Sequence, residues 1–212
     1  MKLIDLHTHN SNNDAEIYIL NSNNNIATNA ERISVGLHPW NIDDMWEQRM
    51  QEIATIATDK RVRAIGECGI DLVKGSSTIS LQTEILQRHI ELSERLHKPL
   101  ILHVVKGQEI ILNLRRTMHP EQAWIIHGFR GKPQQAAQYM AAGLYLSFGE
   151  RCNSDALAAT PLDRLFIESD ESTLPIAELY KKAADTLGVP LEKLAAAVEE
   201  NCKRCGIVEL RT

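Results

Sequence analysis

His7 and His9 stand one residue apart at the end of a short apolar run, Leu3-Ile4-Asp5-Leu6. In an extended segment the side chains at i and i+2 share a face, so both imidazoles can address one point. A point shared by two imidazoles suits a divalent cation. Four more residues of ligand type end or follow an apolar run: Glu67 after "VRAIG", His103 closing "KPLILH", His127 closing "AWIIH" and Asp170 after "FIES". Each alone has a plainer explanation, as a hydrogen-bonded strand end, an ion-paired glutamate or a helix-capping aspartate. Together they favour metal, because separate strands would each have to place such a residue at the same end by accident. Four imidazoles and two carboxylates exceed the needs of one ion and suit two. Glu67 is expected to bridge, with His7, His9 and Asp170 completing one ion and His103 with His127 the other. Two ions roughly 3.5–4 Å apart acidify a shared water and polarise the bond it attacks. Zinc, manganese, magnesium, iron or nickel would each accept such ligands. Asp170, touching metal and water together, is the expected proton acceptor, with Glu67 the other catalytic carboxylate.

The elements that must position these residues follow from the hydrophobic rhythm. Apolar runs predict eight strands, near 3–6, 16–20, 32–37, 62–66, 99–102, 123–126, 144–148 and 164–168. From the third strand onward helical patterns alternate with them. The clearest is "SLQTEILQRHIELSERLH", whose Ile85, Leu86, Ile90, Leu92 and Leu96 form an apolar side. Asp43 is placed as the N-cap of the first helix, and Pro190 as a first-turn residue of the last. Strands alternating with helices imply a parallel sheet, and eight of them imply a (β/α)8 barrel formed as a single domain over 1–212. The chain, at 212 residues, is short against the ~250 usual for that fold. The deficit falls early: the connections after strands one and two are too short and polar for crossover helices. The expected form is an α/β TIM barrel whose first two outer helices are missing or vestigial. Such a gap would expose the outer face of strands one and two, which a homodimer could cover.

Composition excludes several classes. The net charge of −5 gives no basic footprint of the kind that marks a nucleic-acid-binding surface. No run approaches the ~20 apolar residues of a membrane span, and no signal pattern opens the chain, so no membrane partner and a cytoplasmic location are expected. The four cysteines are too few for a disulfide scaffold, and the Cys202/Cys205 pair of "NCKRCG" lacks the second pair or histidine of a zinc site. A P-loop and a Gly-x-Ser-x-Gly elbow are both absent.

In order along the chain, "DLHTH", "VGLHPW", "AIGECGID", "KPLILH", "IIHGFRG", "YLSFG" and "FIESD", with a closing "EENCKRCGI", resemble the motifs of the TatD-like metal-dependent hydrolases. This is a family within the amidohydrolase-like superfamily, often described as deoxyribonucleases. The resemblance covers nearly the whole chain. It implies the barrel, a dinuclear site and hydrolysis of phosphodiester bonds, with DNA or a small phosphoester as substrate. It also implies that His7, His9, Glu67, His103, His127 and Asp170 are the metal ligands, that His38 is a loop histidine facing substrate, and that Asp71 is the signature aspartate. The chain departs from the family around these positions. Val104 and Val105 follow His103, Gly128 and Arg130 follow His127, and Glu171 and Ser172 follow Asp170. Lys106 and Arg130 would attract a phosphate, whereas Glu171 would repel one.

Three other functions compete. An amidohydrolase acting on a small amide or lactone often bridges its metals with a modified lysine, and Glu67 stands against that form. A phosphoesterase of the polymerase-and-histidinol-phosphatase type shares the opening His-x-His, but "GECGID" does not fit it. A non-catalytic metal-holding barrel would need a closed, four-coordinate site rather than six ligands.

Overall fold

The computed structural model describes residues 1–11 and 13–208. Eight strands are present: β1 (Ile4–Thr8), β2 (Ile17–Asn21), β3 (Ile33–Val35), β4 (Val62–Asp71), β5 (Leu100–Val105), β6 (Trp124–Ile126), β7 (Tyr145–Phe148) and β8 (Leu165–Ile167). Among the described residues seven α-helices accompany them: α1 (Trp46–Ile56), α2 (Ile79–Leu96), α3 (Gln108–Met118), α4 (Pro133–Ala141), α5 (Ser154–Ala158), α6 (Ile176–Leu187) and α7 (Leu191–Arg204), with short 3-10 turns at Pro39–Asn41 and Leu162–Arg164. The strands follow chain order from β1 to β8 in one parallel sheet, the topology of a (β/α)8 barrel. Among the described residues, neither the β1–β2 nor the β2–β3 connection contains a helix, so the expected shortening is borne out. No helix among the described residues is long and apolar enough to cross a membrane.

The chain divides into two compact units, residues 1–20 with 126–212 and residues 21–125. In the first, β1 pairs with β2 in the register Ile4 to Ile17, and β7 with β8 in the register Leu146 to Leu165. A further bridge joins Thr8 to Asp170. β1 is buried along its whole length, which corrects the expectation of an exposed outer face. Tyr180 of α6 lies over it, donating its hydroxyl to the Ile4 carbonyl at 2.8 Å and accepting from the Ile4 N–H. Only Ile17 and Tyr18 of β2 remain half-buried. On α7, Asn201 donates to the carbonyls of Leu162 and Leu165, both at 2.8 Å, and fixes the entry to β8. Pro190 sits one position outside α7, at its N-cap.

In the second unit β3, β4 and β5 pair in parallel, with register shifts in both ladders. α2 begins where the Thr78 hydroxyl caps the Leu81 N–H and ends at His97, which turns left-handed at φ 53°. Gln82, Ile85, Leu86, His89, Ile90 and Ser93 are its buried stripe, at the spacing a helix needs to present one face. Several strand ends shift by one to three residues from the sequence expectation, and two differences have a clear physical cause. Asp43 is not the N-cap of α1: that position is Met45, and Asp43 instead accepts the Met45 N–H and pairs with Arg49. β4 runs five residues beyond the expected end, so Glu67 lies inside the strand instead of after it. "ECGID" lacks bulky alternation and reads as a loop, but pairing with β5 through Asp71 and Val105 keeps it extended.

Candidate metal centres

The first cluster belongs to the unit formed by residues 1–20 and 126–212. His7, the fourth residue of β1, is fully buried and His9 follows the strand. Their rings meet edge to face with centroids 5.2 Å apart, and the His127 ring lies 4.6 Å from that of His7. Asp170 faces the pair: its Oδ1 is 3.9 Å from His7 Nε2 and 3.7 Å from His9 Nε2. These separations are close to those of ligands that each stand about 2.1 Å from one ion. The backbone sets this geometry. Asp170 N–H donates to the His7 carbonyl at 2.9 Å, and His9 N–H to the Asp170 carbonyl at 3.0 Å. Asp170 itself adopts a left-handed conformation with φ 55°, an uncommon state for a non-glycine residue. Beneath it Ser169 donates its N–H and hydroxyl to Asp5, and burial pushes the Asp5 carboxyl up to about 6.

Glu168 was not among the residues read from the sequence, yet it is fully buried in this cluster. Its Oε1 accepts the Gly128 N–H and lies 3.5 Å from His127 Nδ1, whereas Oε2 is buried with no hydrogen-bond partner. Burial acts to raise its pKa, but hydrogen bonding and charge from His127, with the charge of His7, outweigh burial and hold the carboxyl below its usual range. A buried, ionised carboxylate with an unsatisfied oxygen is costly unless a cation is near. Ligand atoms of His127, Glu168 and Asp170 come within 4.8 Å of one another, as do those of His7, His9 and Asp170. The donor set therefore fits a divalent cation. The signal was in the sequence: Glu168 and Asp170 repeat the i, i+2 spacing of His7 and His9.

The second cluster belongs to the unit formed by residues 21–125. Glu67 Oε1 is 2.9 Å from His103 Nδ1 and 3.1 Å from His38 Nε2, and Glu67 Oε2 accepts from Asn21 Nδ2 at 3.2 Å. His38 Nδ1 accepts the Trp40 N–H. A neutral His38 thus carries its proton on Nε2 and donates to Glu67, a supporting role instead of a ligand's. His103 Nε2 lies 3.1 Å from Asp71 Oδ2. Asp71 also accepts from Trp40 Nε1 and from the N–H groups of Val73 and Lys74. These bonds outweigh burial and take the Asp71 pKa down to about 2. His103 therefore lies between two carboxylates, Glu67 at Nδ1 and Asp71 at Nε2. With Nε2 donating to Asp71, Nδ1 is the atom that would hold a cation beside Glu67, the arrangement of a metal-ligating histidine supported by a carboxylate.

Of the three expected substrate-binding residues, His38 lies within the second cluster. Arg130 lines a cavity beside Asp170, and Lys106 is exposed on the loop after β5 with φ 57°. Cys202 and Cys205 are buried free thiols, and burial pushes Cys205 up to about 12, which suits packing and not redox chemistry.

Comparison with known proteins finds metal-dependent hydrolases. The chain is 26% identical over 192 residues to the uncharacterized metal-dependent hydrolase YabD of Bacillus subtilis, covering 81% of this chain and 75% of that one. It is 27% identical over 166 residues to the 3'-5' ssDNA/RNA exonuclease TatD of Cronobacter turicensis, covering 74% and 63%. The crystal structure of YjjV, a TatD homologue from Escherichia coli K12, superposes with a TM-score of 0.83 at 21% identity, covering 98% of each chain. The family model described as TatD-related DNase matches residues 7–205. With that match running from the first candidate histidine to the last helix, the chain belongs to the TatD-related DNase family of metal-dependent hydrolases.

Proposed function

We propose that this protein is a deoxyribonuclease that hydrolyses phosphodiester bonds with two divalent cations, zinc being the metal these ligands suit best. His7, His9, His127 and Asp170 hold one, and Glu67 with His103 holds the other. When bound, the cations acidify a water molecule and polarise the bond under attack. The residues of the chain do the rest. Asp170, its carboxylate directed between two imidazoles, accepts the proton of the attacking water. Asp71 keeps His103 in the tautomer that presents Nδ1. His38 donates to Glu67 and faces the substrate, and Arg130 and Lys106 attract the phosphates of the substrate backbone. The observation that carries this reading is the Asp170 carboxylate standing 3.7–3.9 Å from both His7 and His9, beside a buried Glu168 oxygen that lacks a partner. The exonuclease name of the Cronobacter relative supports a nucleic-acid substrate.

Metal analysis together with turnover tests it. Purified protein loaded with zinc or manganese is expected to hold two equivalents and to cleave single-stranded DNA, with activity abolished by a chelator and restored by metal. His9→Ala and His103→Ala are each expected to lose one equivalent. Hydrolysis of small amides or lactones with no cleavage of phosphoesters would overturn the assignment, and no turnover with metal retained would favour a non-catalytic barrel.

A further inference from the structure

Three loops, those following β6, β7 and β8, enclose a cavity of about 360 Å³. It is lined by Glu168 and Asp170 of the first cluster, so it adjoins the candidate metal centre. It is also lined by two arginines, Arg130 after β6 and Arg151 after β7. Both are exposed, and neither has an ion-pair partner among the described residues. Four carboxylates share the lining with them. Glu168 and Asp170 belong to the cluster that would hold the cation. Glu150, which accepts the Ser172 hydroxyl at 2.6 Å, and Glu171 are balanced in charge by the two guanidiniums.

We propose that this cavity is a subsite for a second anionic group of the substrate, with Arg130 and Arg151 receiving a phosphate that neighbours the one being hydrolysed. This rests on the phosphodiesterase reading and adds a substrate requirement to it: two phosphates, not an isolated ester. A planar guanidinium with five donors matches the oxygens of a phosphate, and the hydroxyls of Ser172 and Thr173 extend the polar lining. The volume lies at the low end of ligand pockets and admits one nucleotide-sized group. The one aromatic residue in the lining, Phe129, is itself buried, packed edge to face on Tyr139 and Phe148, and offers no open ring for stacking. The subsite therefore reads phosphate and sugar and is indifferent to the base.

Calorimetric binding of thymidine 3',5'-bisphosphate and of thymidine 5'-monophosphate tests this without any turnover. The bisphosphate is expected to bind about tenfold or more tightly. That preference is expected to vanish in Arg151→Gln and in Arg130→Gln, and to survive in Lys132→Gln, a nearby cation outside the cavity lining. Equal affinity for the two probes, affinity for neither, or a preference untouched by the arginine substitutions would overturn the subsite. Cleavage of the dinucleotide TpT, measured separately, tests the phosphodiesterase reading. Failure there with the binding preference intact would remove the reaction and leave the subsite.

Discussion

Asp71 and Glu168 are both buried carboxylates that stay ionised, but by different means. Asp71 is surrounded by donors from Trp40, Val73, Lys74 and His103, and its charge is satisfied within the protein. Glu168 is not: one oxygen is unpartnered. Removing its charge by Glu168→Gln is expected to weaken cation binding 10–100-fold, as loss of a carboxylate supporting a metal site does elsewhere, read by metal titration. His89 makes a second, independent prediction. It is buried and neutral, its Nδ1–H bonded to the Ile85 carbonyl and its Nε2 accepting the Leu37 N–H next to His38. Burial holds its pKa down to about 4. Because the folded pKa lies below the unfolded value, His89 supports the fold fully above pH 6.5 and less as pH falls toward 4. The span corresponds to about 3 kcal/mol. Asp5 works in the opposite sense, since its raised pKa favours the folded state as pH falls below 6. Urea unfolding of the wild type against His89→Gln isolates the histidine: the stability difference between them is expected to shift against the wild type between pH 7 and pH 4.5.

At the scale of elements, β4 decides where Glu67 and His103 meet. Gly66 and Gly69 flank the strand's functional segment at φ 147° and 146°. A Cβ at Gly69 would run into the His103 carbonyl oxygen and main chain. Gly69→Ala is therefore expected to cost about 1–3 kcal/mol and to displace His103 from Glu67, measured by denaturant unfolding and by loss of one equivalent of bound metal. The strands and most helices were legible in the sequence because their apolar residues recur at periods of two or 3.6. The far half of β4 was not, because "ECGID" owes its extension to ladder bonds with β5 that no local pattern records. The start of α1 was misplaced for a related reason. Asp43 caps by type, but its carboxylate is taken by Met45 N–H and Arg49, and the helix begins three residues later. The exposed β1 face was inferred from a missing helix, yet Tyr180, 176 residues away in the chain, covers it.

For the molecule, the ligand types at strand ends were readable because metal chemistry restricts them to few residues, and a barrel puts such ends to common use. The assignment of His127 to the His7 neighbourhood, and the donor role of His38, were not readable: both depend on ring positions that only tertiary packing sets. Cation binding by the folded chain alone has a thermodynamic signature. At a free metal concentration 100 times the dissociation constant it is expected to add about 2.7 kcal/mol of stability. A chelator should then lower the melting temperature by several degrees, and the same scan on Asp170→Asn should show a much smaller drop.

The reciprocal bonds between Asp170 and the His7–His9 segment also bear on how the living cell would load this protein. During translation the two histidines leave the ribosome before their carboxylate, some 160 residues downstream, has been made. A nascent chain halted before Glu168 would offer this cluster its imidazoles without Glu168 or Asp170, a weaker trap. Secure capture of the ion there has to await the docking of Asp170 beside β1.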